Sequence, residues 1–273
     1  MPRPLRALAA AALALPAALA APAAAAAAGP TGTGPAPRLH IVGGRTATDG
    51  AYPWMARIRV PLGEGAYAVC GGTLLSPDIV LTAQHCLAGA ASVEAFVGRV
   101  DWRAAEPAGL RRTGAGYLLG AGPGRGDWAV ARLSEPVPLP AYPLLPATDA
   151  HDSGPTFRAL GYGKTSFEAE RGEQYLREVD LPHVPDVRCG ATSTVEMCAG
   201  DWDRGGIDTC TGDSGGPLLK RVSAGWVQVG ITSRGYRCAV ANSPGRYTRV
   251  SHYSRELRAA IALLGGRPAT LLP

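Results

Sequence analysis

Residues 215–251 contain no Asp or Glu, and the whole chain of 273 residues has a single asparagine, Asn242. Asn242 precedes Ser243-Pro244 and so forms no glycosylation sequon. After the first 28 residues no stretch reaches 18 consecutive apolar residues, which excludes a later membrane-spanning helix. There is no Cys-x-x-Cys pair and no second histidine at ligand spacing, the usual marks of a structural metal site. Residues 101–117 hold only Asp101 and Glu106, too few hard oxygens for a calcium site of about 6–8 ligands. No metal and no cofactor is expected. A fixed internal repeat is also lacking. The formal charge of +5 exaggerates the imbalance, because Arg3, Arg6 and Arg38 precede Ile41 and no acid does. From Ile41 onward 24 basic residues face 22 acidic ones, which gives no reason to expect nucleic acid or an anionic membrane as a partner.

What is present is organised around Asp208-Thr209-Cys210-Thr211-Gly212-Asp213-Ser214-Gly215-Gly216-Pro217. Glycines flanking a serine allow a tight turn and a close approach to substrate. They also leave the amides of Gly212 and Ser214 able to converge on one oxyanion. A serine needs a base to take its proton and a third group to orient that base. Gly212-Asp213-Ser214-Gly215-Gly216 fits the Gly-x-Ser-x-Gly elbow of α/β-hydrolases, whose order is Ser, acid, His. The acid-free stretch after Ser214 defeats that order, since His252 is the one histidine beyond it. Upstream, His85 lies in Leu81-Thr82-Ala83-Gln84-His85-Cys86 and Asp127 in Asp127-Trp128-Ala129-Val130-Ala131. The order His, Asp, Ser is that of the chymotrypsin triad.

With these segments the chain resembles the trypsin/chymotrypsin-like serine proteases from Ile41 to about Leu264. Ile41-Val42-Gly43-Gly44 is similar to the family's mature N-terminus, and Thr82-Ala83-Gln84-His85-Cys86 differs by one residue from its Thr-Ala-Ala-His-Cys. Gly161-Tyr162-Gly163-Lys164-Thr165 and Pro244-Gly245-Arg246-Tyr247-Thr248 resemble two further family motifs. The resemblance implies an all-β fold of two antiparallel six-stranded barrels around a cleft, with a C-terminal helix. It implies a Ser-His-Asp triad of His85, Asp127 and Ser214, and an oxyanion hole from the Gly212 and Ser214 amides. Asp208, six residues before Ser214, would floor a pocket for Arg or Lys, with Ser233, Gly235 and Gly245 on its walls. Cleavage before Ile41 would free an amine to pair with Asp213. The six cysteines allow 15 pairings from sequence alone. The family pattern selects Cys70–Cys86, Cys189–Cys198 and Cys210–Cys238.

Two departures bear on specificity. Arg234 stands where relatives usually have Trp, and Arg237 where trypsins have Gly before the cysteine. Positive charge there should discourage basic residues further along the substrate. His40 replaces the Arg or Lys usual before the mature N-terminus. Cutting after Arg38 would leave Leu39-His40 in front of Ile41, so the activating protease is not expected to be trypsin-like.

Residues 1–28 have a basic start, an Ala/Leu middle and a small-residue end, the pattern of a secretory signal peptide. Residues 29–40 are rich in Gly, Pro and Thr and read as a short pro-peptide, leaving 41–273 as one protease domain. The expectation is a secreted, extracellular monomer acting on protein or peptide substrates and subject to protein inhibitors. Ala, Gly and Arg richness points to a GC-rich bacterial genome. The alternative is a catalytically silent homologue that binds a partner through the same fold.

Short β-type runs are expected at Met55–Val60, Gly72–Thr82 (two strands around Ser76-Pro77-Asp78), Val93–Val97, Trp128–Leu133, Arg158–Tyr162, Tyr175–Leu181, Trp226–Thr232 and Gly245–Val250. Leu257, Ile261 and Leu264 recur at helical spacing and predict a helix over 253–264. His151, His183 and His252 lack motif context and read as surface residues. Arg125-Gly126-Asp127 spells an adhesion tripeptide, but Asp127 is buried if it orients His85. Gly163-Lys164-Thr165 is no phosphate loop, because Arg158 occupies the required glycine position.

Overall fold

The computed structural model describes residues 41–104, 110–190 and 194–273. The signal-peptide and pro-peptide readings, and Glu106, lie outside the described residues. After a short strand β1 (Arg45–Thr46), six strands make the first barrel: β2 (Met55–Gly63), β3 (Ala66–Ser76), β4 (Ile79–Thr82), β5 (Glu94–Val97), β6 (Arg111–Leu119) and β7 (Ala129–Leu133). They close in the order β2-β3-β4-β7-β6-β5, with β5 antiparallel to β2. A two-residue strand β8 (Leu145–Pro146) leads to the second barrel of β9 (Thr156–Gly161), β10 (Arg177–Val184), β11 (Glu196–Ala199), β12 (Pro217–Val222), β13 (Gly225–Arg234) and β14 (Gly245–Arg249). Here the order is β10-β11-β14-β13-β12-β9, closed by β9 on β10, and β1 pairs with the outer side of β10. Three helices accompany them: one-turn α1 (Gln84–Leu87) and α2 (Asp186–Cys189), and the longer α3 (Val250–Leu263). The last strand, β15 (Leu271–Leu272), lies parallel to β8.

Alternation of side chains about the pleat explains both barrels. Closing a sheet removes the unpaired edges that an open β-structure exposes. Leu74, Ile79, Leu81 and Val130 are buried in the first barrel, and Phe157, Leu181, Met197 and Val229 in the second. Among the barrel strands, β6, β11 and β12 have no counterpart among the expected runs. Strand β6 is Arg-Arg-Thr-Gly-Ala-Gly-Tyr-Leu-Leu with no buried residue, so neither β-branched richness nor a clean apolar face marks it. Strand β12 opens on Pro217, a residue that reads as a breaker but is tolerated at the first position of a strand.

Helix α3 begins three residues before the expected Tyr253. Val250 is buried and continues straight from β14, while the N-cap Arg249 makes no side-chain cap. Its guanidinium instead pairs with Asp152 at 2.8 Å and Asp186 at 2.6 Å. With no Ser, Thr, Asp or Asn cap, the start of α3 leaves no signal in the sequence. The buried face of α3 (Val250, Tyr253, Leu257, Ile261) belongs to the same hydrophobic cluster as the first barrel, so the chain's end ties the barrels together. Among the described residues no helix is long and apolar enough to cross a membrane.

The barrels meet most closely where the Gly71 amide donates to the Ser214 carbonyl at 2.7 Å. A Cβ on Gly71 would come within 2.8 Å of Gly216 Cα. Gly215 has φ +79°, and a Cβ there would strike Thr82 Oγ1 and lie 2.6 Å from the Gly71 carbonyl oxygen. Gly215→Ala therefore combines overpacking, about 1–3 kcal/mol, with a left-handed backbone, about 1–2 kcal/mol. Denaturant unfolding should show a loss of about 2–5 kcal/mol, larger than for alanine at the open, positive-φ Gly50.

Candidate active site

Helix α1 carries His85 immediately after β4, and the Cys70–Cys86 disulfide fastens that turn to β3. Asp127 precedes β7 and is completely buried. Its Oδ2 lies 2.8 Å from His85 Nδ1, and its Oδ1 accepts from the His85 backbone amide at 3.0 Å. Ser233 Oγ donates to the same Oδ2 at 2.6 Å, so the carboxylate is held by donors from both barrels. Thr248 Oγ1 donates to the Asp127 carbonyl at 3.1 Å and fixes the backbone beside it. Burial alone would raise the Asp127 carboxyl, but the bonds from His85 and Ser233 outweigh it and hold the group below the ordinary value. A carboxylate so placed presents a fixed negative charge to the inner nitrogen of the imidazole, and its burial excludes an adhesion role for Arg125-Gly126-Asp127.

Ser214 sits on the turn before β12. Its carbonyl lies 3.7 Å from the Sγ of Cys86, the residue after His85 in the chain. The Ser214 hydroxyl makes no hydrogen bond to His85 among the described residues. Such bonds are commonly long in unliganded sites and tighten only with substrate. The Asp213 amide is engaged by the Cys210 carbonyl at 2.9 Å. The Gly212 and Ser214 amides have no acceptor among the described residues, which leaves both donors open.

Beside Ser214 a cavity of about 190 Å³ is bounded by Asp208, Ser233, Gly235, Gly245 and the Cys210–Cys238 disulfide. The structure thus gathers the residues expected on that pocket. Asp208 is nearly fully buried. It accepts from the Thr209 amide at 2.8 Å and the Ala239 amide at 3.4 Å, and pairs with no cation among the described residues. Gly245 is required beside it, since a Cβ would come within 2.6 Å of Asp208 Oδ1. Desolvation pushes the Asp208 carboxyl up to about 7, partly opposed by the Thr209 and Ala239 amides. Arg237 lines this cavity too, with its guanidinium 5.0 Å from the centre of the Phe167 ring.

Ile41 is completely buried in the core of the second barrel, and Val42 forms a bridge with Asp208. Asp213 is also completely buried. It accepts from the Gly163 amide at 2.7 Å and the Cys210 amide at 2.9 Å. In the uncut chain the Ile41 nitrogen is an amide, and no cation faces this carboxyl among the described residues. Desolvation raises it to about 7, against the pull of the two amides.

Cys189–Cys198 completes the three disulfides, with the pairings that the resemblance implies. Cys70, His85 and Cys86 group their ligand atoms within 4.8 Å, but both sulfurs are tied in the disulfide and cannot bind a metal as thiolates. His183 is not the surface residue expected. It is half-buried with its ring edge-on to Phe157 at 5.5 Å, and desolvation lowers its pKa. Ser233's bond to Asp127 and the buried Glu196 beneath Arg234 were not foreseen. Neither lies in a motif, and only tertiary contact reveals them.

Two closed barrels with a glycine-flanked serine, a histidine on a buried carboxylate and open amides at their seam define a serine protease. The family model for trypsin matches residues 41–256, and the chain belongs to the trypsin family. It is 33% identical over 234 residues to a trypsin-like protease of Streptomyces glaucescens, an alignment covering 82% of this chain and 83% of that protein.

Because the Asp213 pKa is raised on folding, its contribution to stability is fully present below the unfolded carboxyl value of about 3.9. That contribution is lost as pH rises through about 7. The uncut chain should gain thermal stability between pH 7.5 and 5. Asp213→Asn should flatten part of that gain, as read by the difference in unfolding midpoints across the series.

Proposed function

We propose that the chain is a secreted serine endopeptidase, made as a precursor and cutting peptide bonds after Arg or Lys. The reading is carried by one observation: Ser214 and the buried, cation-free Asp208 share a single cavity. A carboxylate in a confined site of low polarity is strongly attracted to a long cationic side chain. A substrate Arg or Lys seated there brings its carbonyl carbon to Ser214.

His85 accepts the Ser214 proton as the hydroxyl oxygen attacks the carbonyl, then delivers it to the leaving amine. Asp127 holds the imidazole with its outer nitrogen free and stabilises the imidazolium. The Gly212 and Ser214 amides receive the oxyanion; losing one such donor typically costs about 10²–10³ in rate. Water then repeats the sequence on the acyl-enzyme and releases the second product.

Cleavage before Ile41 creates an amine to pair with Asp213, which holds two backbone amides but no cation among the described residues, and that pairing orders the Gly212–Ser214 turn. Removing one member of a buried ion pair costs about 3–5 kcal/mol, enough to decide between two loop states. The His40 side chain argues for an activator that is not trypsin-like. The leader and the disulfides support export.

Stoichiometric labelling of Ser214 by a serine-directed organophosphonate, after cleavage before Ile41, tests the reading. No labelling would sink it in favour of a silent binding homologue. Asp127→Asn should lower kcat about 10⁴-fold. Asp208→Ser should move preference from Arg to apolar residues; undiminished cleavage after Arg would remove Asp208 from its role. Since Asp208 must be ionised to receive a cation, the ratio of kcat/KM for an Arg substrate over its citrulline analogue should fall as pH drops below about 7. A constant ratio from pH 8 to 5.5 would contradict the assignment.

A further inference from the structure

A second cavity, about 310 Å³, adjoins the first and shares Arg234 and Gly235 with it as a common wall. Trp202, Tyr236 and Arg246 form other parts of its lining, and no carboxylate lines it. Beneath it Glu196 is buried at 2% exposure and takes Arg234 in a two-pronged pair, Nε at 3.1 Å and Nη2 at 2.8 Å. Arg246 Nη1 lies 3.5 Å from the same carboxylate, and Arg246 Nη2 donates to the Cys189 carbonyl at 2.7 Å.

Two guanidinium groups therefore share one carboxylate, and the cluster keeps one net positive charge. Of the acids on the flanking segments, Asp186 pairs with Arg249 and Asp201 with Arg204, while Asp203, beside Trp202, is exposed and forms no ion pair among the described residues. The Arg234 side chain is 44% exposed, and its Nη1 makes no hydrogen bond among the described residues. Held by Glu196 through Nε and Nη2, the Arg234 guanidinium lines both cavities and keeps Nη1 for a carboxylate.

The direction of the substrate follows from the two cavities. The scissile carbonyl lies at Ser214 and the preceding side chain enters the Asp208 pocket. Residues before it then leave across the opposite wall, Ser233–Gly235. There β13 pairs with β14 on one side, while its pairing with β12 stops at Ile231. We propose that the cavity behind Arg234 takes an acidic side chain, Asp or Glu, from the second to fourth residue before the bond cut. The preferred substrate then carries an acid followed closely by the Arg or Lys at which it is cleaved. The inference rests on the protease reading above and adds the neighbouring specificity.

The test profiles the enzyme cut before Ile41 on peptides with Arg at the cleaved position and Glu, Gln or Lys at each of the three positions before it. Glu should exceed Gln about tenfold in kcat/KM at one of those positions, as expected for a charged hydrogen bond. Lys should be the poorest, and the Glu advantage should shrink between about 50 and 500 mM salt, where the screening length falls several-fold. Arg234→Gln should bring the Glu/Gln ratio close to one. The double variant Arg234→Gln with Glu196→Gln, which leaves no lone buried charge, should do the same if the single variant folds poorly. Equal use of Glu and Gln by the wild type, or a Glu preference surviving in both variants, would overturn the inference. Cleavage after apolar residues would overturn the role of Asp208 alone, with the Glu/Gln ratio still readable. A complete lack of cleavage would overturn the protease reading and this inference together.

Discussion

The contact on which the molecule depends is backbone against backbone, where the Gly71 amide of one barrel meets the Ser214 carbonyl of the other. The barrels share apolar packing, since Leu160, Leu219 and Ile231 of the second join the cluster of the first. What neither barrel can do alone is place a serine beside a histidine carried by the other. That placement needs two main chains in contact, and the missing Cβ atoms of Gly71 and Gly215 permit it. Nearby, Asp127 repeats the theme with side chains, taking His85 from the first barrel and Ser233 from the second. In the proposed mechanism the reacting groups come from both sides of this seam, His85 and Asp127 from the first barrel and Ser214 from the second.

Around this seam Asp127, Glu196, Asp208 and Asp213 are buried and held in three different ways. Asp127 is held by the His85 imidazole, the His85 amide and the Ser233 hydroxyl, which keep its pKa below the ordinary value. Glu196 is shared by two arginines. Asp208 and Asp213 have backbone amides and no counter-ion among the described residues, and desolvation pushes both up to about 7. A buried carboxyl without a cation is costly unless something arrives to neutralise it. In the proposed scheme something does in both cases: a substrate side chain at Asp208 and a newly made amine at Asp213. The two unpaired groups are the two points at which the chain is unfinished in its uncut, empty state.

Much of this was legible in the sequence, for a physical reason. Residues that must approach a backbone or a reacting atom leave short local patterns, such as the glycines about Ser214 or the Thr-Ala-Gln-His-Cys run ending at Cys86. The barrels announced themselves through apolar runs in β2–β4, β7, β9, β10, β13 and β14. Strand β6 did not, because its Arg-rich, glycine-diluted sequence is held by pairing on both edges and not by its own burial. Helix α3 started early because its first turn is secured by Val250 packing and not by a cap. Arg234 was visible as a departure from the family pattern, yet the reading of it as a bare positive charge was incomplete. Its partner Glu196 lies 38 positions away, and no local rule links them.

The seating of Ile41 carries a kinetic implication. A peptide bond is cut in an extended stretch threaded through another enzyme's cleft, and Ile41 offers no surface for that while its neighbour Val42 is bridged to Asp208. In the proposed activation, the protease that cuts before Ile41 acts on the chain during a transient local opening. When such openings are fast relative to cutting, the rate follows how often the segment is out. Maturation would then be timed by the grip of the second barrel's core on one isoleucine, and loosening that grip would hasten it without any change in the scissile sequence.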